Sequence, residues 1–171
     1  MAVIKTTGAL AKPRDPMYGT GKAMRKINAH ASLVAASMAN GDILELAGPF
    51  TFDARIDRVF SPNATPALTA ATDSKLGFFK KGTDGSLSVI KAGSDALLWT
   101  GATLAASLSA RDLLMSFTPA LDRTKSIGEL LAMGRDQEVT GGVWLGLTFP
   151  TKPSVNGTLD LDIEVEEATR D

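Results

Sequence analysis

Hydrophobic and polar residues alternate with a period of two through much of the chain, most regularly near its end. In residues 158–166, Leu159, Leu161, Ile163 and Val165 fall on one side and Asp160, Asp162, Glu164 and Glu166 on the other. Successive side chains of a strand point to opposite faces, so this pattern predicts a half-buried strand. Val143, Leu145, Leu147 and Phe149 alternate with Trp144, Gly146 and Thr148 until Pro150 ends the run, which predicts a second strand with Trp144 turned away from the aliphatic face. Ala54, Ile56, Arg58 and Phe60 set against Arg55, Asp57 and Val59 predict a third, less regular one, closed by Ser61-Pro62-Asn63. Asn40-Gly41 is a strong hairpin signal, because a type I′ turn needs positive φ at both central residues; it predicts that residues 32–39 pair with 42–46. Asp84-Gly85 predicts the same between residues 75–81 and 86–91, with a loop that takes in Gly82. Helix is scarce. Ser126 and Glu129 have capping-box spacing, Ile127, Leu130 and Leu131 form an i, i+3, i+4 stripe, and Gly134 offers a stop, which predicts one short helix over residues 126–133. Residues 102–115 fit a helical stripe and a strand equally well.

Short strands at this spacing with one short helix make the chain mainly β, a β-sandwich or a jelly-roll-like β-barrel. Its 171 residues are enough for one domain with a real core and no metal or disulfide to hold it. Hydrophobic residues at 44% and charged residues at 22% exclude a wholly disordered, collagen-like or coiled-coil chain. Zero cysteines exclude disulfide frameworks, thiol catalysis and cysteine-ligated metals. The longest apolar runs fall far short of a membrane span, and no export signal is visible at the start, so a soluble protein without a membrane partner is expected.

Charge changes the picture at the two ends. Lys5, Lys12, Arg14, Lys22, Arg25 and Lys26 against Asp15 give the first 30 residues about +5, and Asp160, Asp162, Glu164, Glu166, Glu167 and Asp171 against Arg170 give the last 12 about −5. The net charge of −1 leaves no global drive toward nucleic acid. Residues 1–27, basic and with glycines and prolines but little periodicity, read as an extended N-terminal arm, and residues 28–171 as a single β-rich domain. The arm cations Lys5, Lys12, Arg14, Lys22, Arg25 and Lys26 are candidate partner-binding residues, able to dock on an acidic surface. Phe78 and Phe79 join them, because neighbours in a strand point to opposite faces and an outward aromatic anchors subunit interfaces.

Chemistry is thin. Tyr18-Gly19-Thr20-Gly21-Lys22 lacks the first glycine and the final hydroxyl of a phosphate loop, Gly141-Gly142 reads as a turn into a strand, and no G-x-S-x-G elbow exists. His30 is the one histidine and reads as structural or exposed. The acidic ladder of residues 160–166 reads as a solvated or partner-contacting face, with calcium as the lesser alternative. Trp99 and Trp144 read as core or interface residues, with sugar stacking as the alternative. No catalytic residue, cofactor or metal is expected.

The order of these features, a basic arm followed by Asn40-Gly41-Asp42-Ile43-Leu44-Glu45-Leu46, Asp53-Ala54-Arg55-Ile56-Asp57, Lys75-Leu76-Gly77-Phe78-Phe79, Ser126-Ile127-Gly128-Glu129-Leu130 and Gly157-Thr158-Leu159-Asp160-Leu161, resembles the small β-rich virion proteins of tailed bacteriophages, above all the head decoration (cement) proteins. The resemblance covers most of residues 28–168 and rests on pattern. It implies a non-enzymatic protein on the capsid exterior that binds the major capsid protein lattice, stabilises the head and self-associates as a homotrimer. The alternative is a carbohydrate- or receptor-binding β-sandwich of a phage tail or baseplate, and a more distant one is an enzyme subunit whose site needs a neighbouring chain.

Overall fold

A computed structural model describes residues 3–5, 22–61, 73–100, 111–116 and 122–168. The strands are β1 (Val3–Lys5), β2 (Lys22–Leu33), β3 (Asp42–Phe50), β4 (Arg55–Ser61), β5 (Lys75–Lys81), β6 (Leu87–Val89), β7 (Trp99–Thr100), β8 (Arg111–Asp112), β9 (Val143–Phe149) and β10 (Gly157–Ala168), with the helix α1 (Ile127–Leu131) before β9. One sheet runs β1-β3-β9-β5-β6, with β7 also on β5; the other runs β2-β10-β4-β8. The β1–β3 pairing is parallel and the others are antiparallel. The architecture is the β-sandwich expected from the alternation.

The core lies between the sheets. Leu159, Leu161, Ile163 and Val165 of β10 meet Ile27, Ala29, Ala31 and Leu33 of β2 on one side, and Leu44, Leu76, Phe78, Leu145, Leu147 and Phe149 come from the facing sheet. Each large aliphatic or aromatic side chain removed from water here contributes roughly 1.5–3 kcal/mol before the entropy of ordering it. Trp99, 1% exposed, belongs to this core.

Several expectations need correction. A turn does form at Asn40-Gly41, with Gly41 at φ 85°, but the flanking strands are not hairpin partners. β2 pairs with β10 while β3 pairs with β1 and β9, so the connection arches from one sheet to the other. The 3-10 turn Ala35–Ser37 and the Asp42 carboxylate, which accepts the Ala39 N–H at 2.8 Å, carry the chain round that corner. Local turn chemistry fixes a reversal and leaves open which strand is paired.

In β4, Glu164 lies opposite Arg58 and Val165 opposite Ile56, leaving Asp57 as the extra residue of a bulge. The bulge resets the alternation, so Ile56 and Val59 are both buried and Phe60 turns to the outer face. The Asp84-Gly85 hairpin joins β5 and β6 as predicted, with Gly82 inside the loop: the Gly82 N–H donates to the Ser86 carbonyl at 2.8 Å.

The helix spans Ile127–Leu131, with Ser126 as N-cap and both halves of the capping box made with Glu129. It stops at Ala132, in the left-handed region at φ 48°, rather than at Gly134. The Ala132 N–H donates to the Glu129 carbonyl at 3.1 Å and the Met133 N–H to the Gly128 carbonyl at 3.0 Å, the two bonds of a Schellman ending. Of the segment left open between helix and strand, residues 111–115 are described, and they form β8 and the start of the 3-10 turn Leu113–Ser116.

Candidate functional site

The arm cations that are described are divided between two strands. Lys12 and Arg14 lie outside the described residues, as does most of the phosphate-loop-like stretch before Lys22. Lys5 is in β1, on the edge of β3, and Lys22 opens β2. The boundary between residues 27 and 28 falls inside β2, where Ile27 is a buried core residue. Arg25 and Lys26 are strand residues. The Arg25 guanidinium pairs with Glu167 at 3.6 Å and lies 6.0 Å from the Phe50 ring centroid, and the Lys26 ammonium pairs with Asp162 at 3.3 Å.

The outer face of the β2-β10-β4 sheet is consequently a cross-paired ladder. β10 presents Asp160, Asp162, Glu164 and Glu166; β2 sets His30, Asn28, Lys26 and Met24 opposite them, and β4 sets Phe60, Arg58 and Arg55. His30 Nδ1 contacts the Asp160 carboxylate, Arg55 pairs with Glu166 at 3.9 Å, and the Arg58 guanidinium sits 4.1 Å over the Phe60 ring. Pairs this exposed contribute about 0–1 kcal/mol each, so they fix strand order and register more than they stabilise the fold. The acidic face reads from sequence as an open acceptor for a basic partner, whereas in the fold the chain's own β2 and β4 supply much of the counter-charge. Among the described residues, no group of three or more His, Asp or Glu side chains is placed to hold a metal ion.

Phe78 and Phe79 are both fully buried, which corrects the expectation of an outward anchor. Phe78 enters the main core, and Phe79 enters a second cluster on the opposite face of the sheet with Ile43 and Leu87, against which Trp144 packs. The outer face of this sheet thus carries a small apolar cluster of its own, built from side chains of β3, β5, β6 and β9. Trp144 faces away from the aliphatics of β9 as predicted, with the Lys81 ammonium 3.9 Å over its ring and that ammonium held 2.8 Å from Glu45. As a stacking platform it has one face already taken, and Trp99 has none free.

Sequence reasoning missed the cleft beside α1, an open space of about 510 Å³ lined by Asp53, Arg55, Glu129, Arg135 and Glu166 above Phe52. The helix docks there because the Ile127 N–H donates to the Ala54 carbonyl at 2.8 Å and the Gly128 N–H to the Phe52 carbonyl at 2.9 Å. Gly128 permits that approach, since a Cβ would meet the Phe52 ring at 3.2 Å. Arg135 bridges to Asp53 at 2.9 Å. The Glu129 carboxyl is held below its ordinary value, chiefly by the Ser126 backbone N–H and then by the Ser126 hydroxyl. The capping box was readable from its spacing, whereas the strand loop that receives the helix left no local signal. Carboxylates alternating with guanidiniums can seat a polar chain segment.

No helix among the described residues is long and apolar enough to cross a membrane. Comparison with known protein families, with characterised proteins and with solved structures finds no match for this chain.

Proposed function

We propose that this chain is a non-enzymatic structural protein of a tailed-phage virion that decorates the exterior of the head by binding the major capsid protein lattice. The order of sequence elements supports the reading, and one structural observation carries it. The body is a sandwich whose charged outer face on β2, β10 and β4 is largely cross-paired, while residues 1–21 precede it in the chain and touch it, among the described residues, through Val3–Lys5 on the edge of β3. With Lys22, Arg25 and Lys26 assigned to β2, the segment ahead of it keeps Lys5, Lys12 and Arg14 against Asp15, or +2. A basic leading segment tied to a rigid body suits docking on an acidic neighbour. Several such contacts on one particle raise avidity without any single tight one.

Co-sedimentation with undecorated heads of the encoding phage tests this directly. The expected result is saturable binding that weakens when residues 2–21 are deleted and when salt is added, with the truncated body still showing a cooperative melt. No binding to heads, together with specific capture on a glycan array, would replace this reading with the tail or baseplate alternative. The homotrimer expected from the resemblance loses its structural motive, the outward phenylalanine, since Phe79 is buried.

A further inference from the structure

β2 is an edge strand of unusual length. It pairs with β10 through all of its residues, from Lys22 opposite Ala168 to Leu33 opposite Gly157, with no bulge. Its other edge pairs with no described strand. Proteins blunt such edges with shortness, charged side chains such as lysine, proline, bulges or inward charges, because a free row of backbone donors and acceptors is a template for another strand. The remaining sheet edges follow that rule: β8 has 2 residues, and β1 and β6 have 3 each. β2 has 12, no proline and no bulge, and its Lys and Arg residues, Lys22, Arg25 and Lys26, all stand in its first five positions, leaving Ile27–Leu33 without them. Met24, Lys26, Asn28, His30 and Ser32 alternate along it as exposed residues.

From these facts we infer that β2 pairs with β2 of a second copy across a two-fold axis, fusing two four-stranded sheets into one of eight. A contact with a different edge of the chain would engage two or three residues, so among the described strands only another β2 matches the full length of about 40 Å. Antiparallel pairing about an axis normal to the sheet keeps both hydrophobic faces on the same side, and only registers that shift by two residues preserve this. Centring the axis on Ile27 sets Lys26 opposite Asn28 and Met24 opposite His30, so no like charges meet. Centring it on Asn28 would set Lys26 against His30. Centring it on Ala29 also avoids like charges but leaves residues 22–24 unpaired, so the Ile27 register is the one that joins compatible charges to the longest overlap, and Lys26 and His30 keep their own partners, Asp162 and Asp160, in it. An isologous contact of this kind closes as a dimer.

The inference goes beyond the decoration reading and does not rest on it, so each can fail alone. Sedimentation of the full chain at micromolar concentration should give twice 17.9 kDa, dissociating on dilution. Asn28→Lys is the discriminating variant. In the single chain it places an ammonium beside Asp160 and Asp162 and leaves the fold intact, while in the dimer it faces Lys26 at two symmetric positions. It should raise the dimer dissociation constant by about tenfold with an unchanged melting transition at monomeric dilution. Because the chain has no cysteine, Asn28→Cys gives a second readout: a short bis-maleimide, able to span the ~7 Å of a diagonal cross-strand pair, should link it, but not Val89→Cys on the opposite sheet. A monomer at all concentrations, a trimer mass, a dimer indifferent to Asn28→Lys, or equal linking of the two cysteine variants would each overturn the β2 pairing.

Discussion

Phe79 lies across Gly146, and the missing side chain of one residue makes the space for the ring of the other. A Cβ on Gly146 would stand 2.8 Å from the Phe79 ring and 3.1 Å from Ile43. Both neighbours are buried, so neither can swing away. Gly146→Ala should therefore lower stability by about 1–3 kcal/mol, the usual cost of overpacking a filled site. Urea unfolding of the two proteins measures it, and an equal midpoint would mean that the second cluster is loosely packed.

The faces of β10 give a sharper contrast. Ile163 is fully buried between Ile27 and Val59, while its neighbour Glu164 belongs to the outer ladder. Ile163→Lys puts an ammonium among aliphatic groups and should cost more than about 4 kcal/mol, most of the stability of a domain near the lower end of the ordinary range of about 5–15 kcal/mol. Glu164→Gln should stay within about 0.5 kcal/mol. Thermal melts followed by circular dichroism separate the two outcomes, and matching melting temperatures would place Ile163 outside the core.

Ala132 ends the helix at φ 48° and ψ 50°, a region where a Cβ is strained and glycine is not. Ala132→Gly should stabilise the protein by about 0.5–1 kcal/mol despite the greater freedom of the unfolded glycine. A lowered denaturation midpoint would show that the Schellman ending does not persist in solution.

Glu129 links helix capping to pH. Its carboxyl is held below the ordinary value of 4.5 by the Ser126 N–H and hydroxyl, so the ionised form is favoured in the folded state. The contribution is complete above the unfolded value and is lost as pH falls through the lower, folded one. Glu129→Gln keeps an acceptor for the Ser126 N–H and does not titrate. The stability difference between wild type and this variant should be constant above about pH 6 and should shift against the wild type in acid. Denaturation curves at a series of pH values check this, and a difference independent of pH would remove Glu129 from the linkage.

What could be read from the sequence were features decided by neighbours along the chain. The alternation in β9 and β10, the Ser126–Glu129 cap and the Asp84-Gly85 hairpin all hold because each depends on residues within one element or one turn. Choices made across the fold were hidden. The Asn40-Gly41 turn sends its strands to different sheets, the bulge at Asp57 exchanges the roles of Val59 and Phe60, and Phe79 is buried because Ile43 and Leu87 lie on its side of the sheet. The two charged ends were visible as composition, but only the β2–β10 register shows that Lys26 and Asp162 are partners.

That same register has a consequence for how the protein is made. His30 and Asp160 stand side by side although 130 residues separate them in the chain. At the usual 5–20 residues per second, a ribosome that has finished β2 takes on the order of ten seconds to deliver its partner. During that interval β2 has neither edge covered, and the inner row of Ile27, Ala29, Ala31 and Leu33 faces water. A nascent chain stalled before Gly157 should accordingly be a far better client for chaperones and proteases than one in which Ala168 has cleared the ribosome, because the second sheet closes only once β10 is free to pair.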